Sequence, residues 1–398
     1  RLTSRPRTSG CGKSMGGVGP ERQMSLTSRV NWRPDRSEIM NARRKVLRSI
    51  AWALAVTWPV GGRARSAEAS VSPSASSVSA ALARAKGGDV IRLTVGGHGD
   101  VALRGRHFQP PVRVVGRPGA YIQTLSLRQC RGLVFEDVQV EASLERPTGP
   151  IIRLVECHNV ELRGLKIIGP PNGSSTGNVD GITVAKSSNV SMVSNALSNV
   201  RVALGFRDCE GVTVSRNRIF NVRTDGVRVA ESRGVTISDN YISHFGLFES
   251  DHRDGIQFYT LKGAEASRDI VVEGNRIEQA SGAPAQGVFM RTAGARFERV
   301  RIRENLIAGG NHNGIAVLGG ADNVQIEGNL LIGARGWVRV TDATELVVSD
   351  NEVRTNSEKR FLIEPSGRPK SNQEGRVPKD GGARARAEWI ARHPKTPD

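Results

Sequence analysis

The sequence lacks an apolar run long enough to cross a bilayer. Its main apolar segment runs from Ser49 to Val60, about a dozen residues where a transmembrane helix needs about 20.

The middle of the chain also lacks a charge excess. Of 57 basic and 39 acidic residues, 14 and 3 fall in residues 1–67 and 10 and 6 in residues 357–398, leaving 33 and 30 between them. The net charge of +18 belongs mostly to the ends, which argues against nucleic acid as a partner.

What the middle does contain is a repeated phrase: apolar, any, apolar, any, any, Asn, any, apolar. Seven asparagines hold its fixed position: Asn195, Asn217, Asn240, Asn275, Asn305, Asn329 and Asn351. Their spacings of 22, 23, 35, 30, 24 and 22 residues favour stacked short strands. We expect each Asn to tolerate a left-handed turn conformation and to bond to the Asn of the coils above and below.

The repeat predicts an all-β chain, a single-stranded right-handed parallel β-helix of about ten to twelve coils. A helix over residues 76–86, followed by Gly87 and Gly88, is expected to cap the open edge of the first coil. This helix and the strand Asp89–Leu93 resemble the N-terminal cap of pectin-lyase-like β-helix proteins. With the Asn coils, the resemblance covers about residues 76–356 and implies that fold.

Residues 40–69 have the order of an export signal: a basic start at Met40, an apolar run and a small-residue site at Ala67 to Ala69. Arg43-Arg44 resembles the twin-arginine signal, and the whole is similar to uncharacterised twin-arginine-translocated β-helix repeat proteins. The resemblance implies a periplasmic or secreted protein with no membrane attachment once the signal is removed. An amphipathic N-terminal anchor is the alternative.

The expected organisation has four parts. Residues 1–39 are interpreted as a non-native upstream segment and residues 40–69 as the signal. Residues 70–356 are the repeat domain with its N-terminal cap, and residues 357–398 a basic, mostly disordered tail.

Cysteine is scarce. Beyond the signal only Cys130, Cys157 and Cys209 remain, and the repeat places them in one column of the stack, with Ser187 between the last two. Adjacent coils lie about 4.8 Å apart, within the reach of a disulfide. A Cys130–Cys157 bond and buried free thiols are both compatible with the spacing.

A second column is set by Asp-Gly-apolar phrases at Asp180, Asp225 and Asp254. Arg201 falls near the column between the first two, and Gln286, Asn313 and Arg335 continue it. In a structural interpretation each Asp caps local backbone N–H groups and each Gly supplies positive φ. In a functional one, carboxylates about 5 Å apart on adjacent coils perform acid/base chemistry or share a cation such as calcium.

The enlarged coil from His244 to Tyr259 must leave the regular path as a loop. It carries Glu249, Asp251, His252, Arg253 and Asp254, and loops on a rigid scaffold are where functional residues concentrate. Arg291 and the turn containing His312 are expected to face the same groove. A solvated, self-paired charge cluster is the alternative.

Two short motifs carry further resemblances. Thr224-Asp225-Gly226 resembles the Asn-Thr-Asp-Gly motif of polygalacturonases, with Arg223 in place of the Asn. Asp251-His252-Arg253-Asp254 resembles the Asp-Pro-His-Asp motif of alginate epimerases. Both imply a uronate polymer as substrate.

The sequence therefore predicts a protein that binds an extended acidic polysaccharide and leaves open whether it also cleaves or epimerises it, as a lyase, hydrolase or epimerase. Asp225 and Asp254 are the candidates for acid/base work, with His252 and Arg253 as base or carboxylate neutraliser. Candidate substrate-binding residues are Asp180, Arg201, Arg228, Arg291 and His312. No metal ligands are assigned. The alternative is a non-catalytic cell-envelope or adhesion solenoid.

Overall fold

The computed structural model describes residues 66–143, 149–170, 179–246, 251–310, 313–333, 337–364 and 370–397. Their strands form three sheets of 12, 12 and 11 members in which every recorded neighbouring pair is parallel. The chain visits sheet 1, sheet 2 and sheet 3 in turn and then returns to sheet 1 one coil further on. The predicted parallel β-helix is confirmed.

The strands of each sheet follow the stacking order of the coils. Sheet 1 consists of Glu68–Val71, Val90–Leu93, His107–Gly116, Arg131–Glu136, His158–Arg163, Ser188–Val193, Glu210–Ser215, Arg233–Ser238, Arg268–Glu273, Phe297–Arg303, Ala321–Glu327 and Ala343–Ser349. Sheet 2 consists of Gly96–Gly97, Ala120–Ile122, Gln139–Glu141, Lys166–Ile168, Ala196–Val200, Arg218–Val222, Tyr241–Phe245, Arg276–Glu278, Leu306–Ala308, Leu330–Gly333, Glu352–Thr355 and Gln373–Gly375. Sheet 3 consists of Asp100–Arg104, Thr124–Arg128, Gly149–Val155, Val179–Ala185, Leu204–Arg207, Asp225–Ala230, Asp254–Thr260, Gln286–Thr292, Ile315–Leu318, Val338–Thr341 and Phe361–Glu364.

The core lies inside the coils because alternate residues of each strand point inward. In the strand Glu210–Ser215, Val212 and Val214 are buried whereas Thr213 between them is only partly covered. The register of the strands then stacks similar side chains on successive coils. Val212, for example, pairs with Val190 on one side and Val235 on the other. Burying one such side chain contributes about 1.5–3 kcal/mol, so the aliphatic stacks are the main source of stability.

The asparagine ladder lies at the corner between sheets 1 and 2. Asn217 donates its Nδ2 to Asn240 Oδ1 at 2.9 Å and to the Met192 carbonyl at 2.8 Å, and its backbone N–H donates to the same Oδ1 at 2.9 Å. The other members repeat this pattern in full burial. The ladder therefore supplies partners for backbone groups that the turn would otherwise leave unpaired.

Two details of the ladder differ from the expectation. The left-handed conformation belongs to the residue before the Asn, as at Ser194, Arg216 and Asp239 with φ of 55–56°, so the Asn acts through its amide and not through its backbone. The ladder also continues past Asn351 to Asn372, whose Oδ1 accepts both amide groups of Asn351 at 2.9 Å.

The N-terminal end of the described coils is covered by a helix. Helix α1 (Ala75–Arg84) begins at the N-cap Ser74 and buries Val78 and Leu82 against the first coils, which confirms the predicted cap. Its position removes the open edge of the core from water.

The segment after residue 357 is more ordered than the sequence indicated. It adds strands to sheets 2 and 3, and then helix α2 (Ala383–Arg392) packs on sheet 2 with Trp389 buried against Leu306 and Ile332. Arg386 also donates to Glu278 Oε1, at 3.0 Å from Nε and 2.6 Å from Nη2. The expected mostly disordered tail is thus corrected in its described part, because one aromatic side chain and one ion pair hold the helix on the sheet.

The three cysteines form one column, and this column lies at the corner between sheets 3 and 1. Cys130, Cys157 and Cys209 are buried free thiols, so Cys130 and Cys157 are not bonded to each other. Serines continue the column: the backbone N–H of Cys157 donates to Ser187 Oγ at 3.0 Å.

In the described part of the chain, no helix is both long and apolar enough to cross a membrane.

Removing one member of the ladder is expected to destabilise the fold strongly. Asn240→Ala deprives the Asn217 N–H and the Val214 carbonyl of their partners, and each unpaired buried group costs about 1–3 kcal/mol. Urea unfolding should show a loss of about 2–5 kcal/mol. The exposed Asn356→Ala is the matched control, expected within about 0.5 kcal/mol of the parent. Equal losses in both variants would contradict the role of the ladder.

Candidate functional site

The second polar column lies at the corner between sheets 2 and 3. Asp225, Asp254 and Gln286 are direct partners in register on adjacent strands. Because Ile315 pairs with Val288, Asn313 continues the column. Because Leu204 pairs with Val227, the position before Asp225 belongs to Val202 and not to Arg201, which lies one residue off the expected place.

The glycine after each polar residue is needed for space. A Cβ on Gly226 would lie 2.6 Å from the Gly255 carbonyl oxygen, and one on Gly255 would lie 2.8 Å from that of Gly287. Neither Gly226 nor Gly255 has positive φ, so the structural interpretation was wrong about their backbone. The close approach of successive coils is the reason that these positions lack a side chain.

Asp225 is fully buried yet bonded to side-chain and neighbouring-coil groups. Its Oδ2 accepts from Arg228 Nε at 2.6 Å, and its Oδ1 accepts from the backbone N–H of Asp254 at 3.3 Å. Arg228 lies above it on the outer face of sheet 3, one third exposed. The guanidinium therefore covers the carboxylate from solvent.

Asp254 is equally buried and has three side-chain donors. His252 Nδ1 lies 3.0 Å and Gln257 Nε2 2.7 Å from Oδ2, and Gln286 Nε2 lies 3.0 Å from Oδ1. His252 is the exposed member of the group, with 55% of its side chain accessible. Its ring meets Phe289 edge to face at 5.1 Å between centroids.

The two carboxylates have altered acidity. Burial, reinforced by the like charge of Asp254 and opposed by Arg228, raises the pKa of Asp225 to about 7. Burial also raises the pKa of Asp254, against its hydrogen bonds from His252, Gln257 and Gln286. The hydrogen bond to Asp254 raises the pKa of His252. Asp225 therefore changes its protonation state near neutral pH, beside two groups whose pKa values are also raised.

Of the other predicted residues, those that the structure describes lie within three coils of Asp254. Arg201, two coils before Asp254, forms a two-bond ion pair with Asp180 on the coil before its own, both bonds at 2.9 Å. Arg253 Nε donates to the Gly246 carbonyl at 2.6 Å, and among the described residues it has no recorded ion pair with a carboxylate. Arg291 is exposed on the outer face of sheet 3, in register with Tyr259. His312 and Arg335 lie outside the described residues.

The sequence interpretation missed Gln257 and the aromatic residues Phe289 and Tyr259. A signal for Gln257 exists: it follows Asp254 by three positions, as Arg228 follows Asp225. In a strand, a residue three positions on points to the opposite face from the first, and the polar partner reaches back over the strand end to its own carboxylate.

A shallow cavity of about 190 Å³ opens on the outer face of sheet 3 beside Arg228. Its lining includes Gly205, Thr183, Arg207, Tyr259 and Asp180. Polar, cationic and aromatic groups therefore meet at a surface depression next to the buried carboxylates. In the described ranges no group of three or more His, Cys, Asp or Glu side chains is arranged to hold a metal ion.

The family profile of the right handed beta helix region matches residues 150–331 and 248–374, more than half of the chain. The chain belongs to this right-handed β-helix family. Among curated protein sequences none matches this chain significantly.

Solved structures share the fold at low identity. The GH136 lacto-N-biosidase from Eubacterium ramulus is 12% identical over 86% of this chain and 70% of its own, with a TM-score of 0.50. The polygalacturonase from Erwinia carotovora ssp. carotovora is 14% identical over 81% and 98%, with a TM-score of 0.41. The Streptococcus pneumoniae surface protein and adhesin PfbA is 13% identical over 76% and 92%, with a TM-score of 0.47. At such identities the likeness is one of fold alone.

The raised pKa of Asp225 has a measurable effect on stability. Between about pH 4, its unfolded value, and about 7, its folded value, the unfolded chain releases a proton that the folded chain retains. Stability must therefore fall as pH rises through this window, and the raised pKa of His252 acts in the same direction.

We expect Asp225→Asn to flatten this fall, measured as the free energy of unfolding in urea from pH 5 to 7.5. Asp269→Asn is the control, because Arg299 lowers the pKa of that surface carboxylate and moves its titration below the window. A parent slope that Asp225→Asn leaves unchanged would show that Asp225 is ionised throughout.

Proposed function

We propose that this protein binds an extended acidic polysaccharide on the outer face of sheet 3 and cleaves or epimerises it by proton transfer at Asp225, Asp254 and His252. The observation that carries the proposal is the pair of fully buried carboxylates in register on adjacent coils. Such a pair is costly, because burial penalises each charge and the two charges repel.

The turn itself does not require these carboxylates. Val202 occupies the equivalent position one coil before Asp225, and Gln286 occupies it one coil after Asp254. Both neighbours complete the corner without a charge. A cost that the fold can avoid at adjacent coils favours a chemical role over a structural one.

The face above the pair suits an anionic sugar chain. Arg228, Gln257 and Phe289 form one column of outward side chains, and Tyr259 and Arg291 belong to the next. Guanidinium groups bind carboxylates through charge-assisted hydrogen bonds, and aromatic rings offer apolar faces to the C–H side of a sugar. Because these side chains repeat about every 4.8 Å from coil to coil, a bound sugar chain can run along the solenoid axis and contact them in succession.

The proposed chemistry needs a proton acceptor or donor near neutral pH and a cation beside the substrate carboxyl. Asp225 has the required acidity, with a pKa of about 7. Arg228 lies next to it with part of its guanidinium exposed, where it would neutralise the carboxyl of a bound uronate. His252, exposed above Asp254, completes the group.

A non-catalytic solenoid that only binds the polymer is the second candidate. The observation in its favour is that both carboxylates have no exposed side-chain surface, so Arg228 or His252 must move before a substrate reaches them.

In either case we propose that residues 40–69 direct export to the periplasm or the exterior, as the basic start and apolar run of that segment suggest.

The test is incubation of the purified protein with a panel of uronate polymers. Ultraviolet absorbance reports unsaturated lyase products, a reducing-end assay reports hydrolysis, and proton NMR of the polymer reports epimerisation. Binding is followed in parallel by affinity electrophoresis. We expect one polymer to react, and Asp225→Asn to lower the rate by at least about 100-fold while binding persists.

Asp208→Asn is a control on a different corner of the coil, expected to keep the parent rate. Binding without any product on every polymer would assign the protein to the non-catalytic class. Neither binding nor product would refute the proposal as a whole.

A further inference from the structure

We infer that Trp337, Asn313 and Gln286 fix the tautomer of His252, with Gln286 as the positioning residue. The catalytic meaning of this inference rests on the proposed function, but the tautomer itself does not. The inference stands on a chain of hydrogen bonds that crosses four coils at the corner between sheets 2 and 3.

The chain starts at the indole of Trp337. Its Nε1 lies 3.0 Å from Asn313 Oδ1, and Asn313 Nδ2 bonds in turn to Gln286 Oε1. Gln286 Nε2 then lies 3.0 Å from Asp254 Oδ1 and 2.8 Å from His252 Nε2. Asn313 and Gln286 are almost entirely buried, so water does not replace these partners.

The direction of every bond follows from the indole at one end. An indole N–H can only donate, and each side-chain amide has one acceptor oxygen and one donor NH₂. Asn313 must therefore present its oxygen to Trp337 and its NH₂ to Gln286. Gln286 must present its oxygen to Asn313 and its NH₂ to Asp254 and His252.

The remaining bond settles the state of the imidazole. Gln286 donates one proton of its NH₂ to Asp254 and the other to His252, so His252 Nε2 must supply a lone pair. The proton of the neutral ring then resides on Nδ1, which lies 3.0 Å from Asp254 Oδ2. The bond made at one ring nitrogen sets the protonation of the other.

Gln286 also opposes full protonation of the ring. An imidazolium would direct Nε2–H against the NH₂ of Gln286, whereas Asp254 and Asp225 favour the cation and Arg228 disfavours it. A proton that a substrate gives to His252 must therefore displace the Gln286 N–H. Gln286 thus holds the lone pair in place until the substrate takes over that position.

The experiment is nitrogen-15 NMR of the histidine rings in the full chain without polysaccharide, with His252 assigned by its loss in His252→Asn. At pH 8 the parent should show a neutral ring protonated on Nδ1. Gln286→Glu replaces the donor by an acceptor, so the ring should become doubly protonated and its pKa should rise by at least about one unit.

Trp337→Phe is the milder variant in case Gln286→Glu does not fold. It removes the donor that orients Asn313 and should yield a mixture of the two tautomers. Gln257→Leu is the matched control, because Gln257 donates to Asp254 and has no recorded bond to His252; the parent tautomer should persist.

A ring protonated on Nε2 in the parent, or a parent-like ring in both Gln286→Glu and Trp337→Phe, would overturn the inference. The predicted tautomer in a protein that reacts with no polymer would uphold the hydrogen-bond chain and refute only the catalytic proposal.

Discussion

Stacking in register is the constraint on which this molecule depends. Each coil donates its backbone hydrogen bonds to the next, so every residue lies directly above its counterpart about 4.8 Å away. The asparagine ladder holds that register at one corner, since a slip of one residue would turn the inward valines outward and leave the buried amides unpaired. The coils therefore cannot shift relative to one another, and any side chains that follow the same turn are forced together.

That constraint is what makes the buried acid pair possible. Asp225 and Asp254 repel each other, yet parallel pairing of their strands fixes them on adjacent coils. Arg228 offsets part of the charge of Asp225, and His252, Gln257 and Gln286 offset part of that of Asp254. The remaining cost appears as raised pKa values of both carboxylates. A rigid scaffold can hold such a pair at little entropic expense, and this pair is the basis of the catalytic role that we propose.

The repeating strands, turns and stacking could be predicted from the sequence, but the contacts of individual side chains could not. Alternating apolar residues around each Asn indicate strand, turn and stacking. The repeat pattern did not identify Asn372 as a member of the ladder, because Pro369 and Glu374 occupy positions where the pattern has apolar residues. The amide hydrogen bonds of the ladder nevertheless continue to Asn372. Likewise the order of residues 383–392 depends on contacts of Trp389 with sheet 2 residues that lie 57 to 83 positions earlier in the sequence, from Ile332 back to Leu306. The local sequence pattern does not encode such contacts.

The same limit applies to the site. The Asp-Gly phrases placed Asp225 and Asp254 together, but the residues that complete the group point to it from other coils or from the outer face of the sheet. Arg253 was expected at the carboxylates, yet its guanidinium reaches the Gly246 carbonyl, whereas Gln286 links Asp254 to His252. Side-chain direction depends on which partner completes each hydrogen bond, and spacing alone does not specify it.

The most direct test of the buried acid pair is a carbon-13 NMR titration of the side-chain carboxyls of Asp225 and Asp254, assigned with Asp225→Asn and Asp254→Asn. We expect Asp225 to titrate near pH 7 and Asp254→Asn to lower this value, because a neighbouring negative charge is removed. Titration of Asp225 at the ordinary value of about 4, unaffected by Asp254→Asn, would contradict the claim that the stacked coils hold two interacting buried acids.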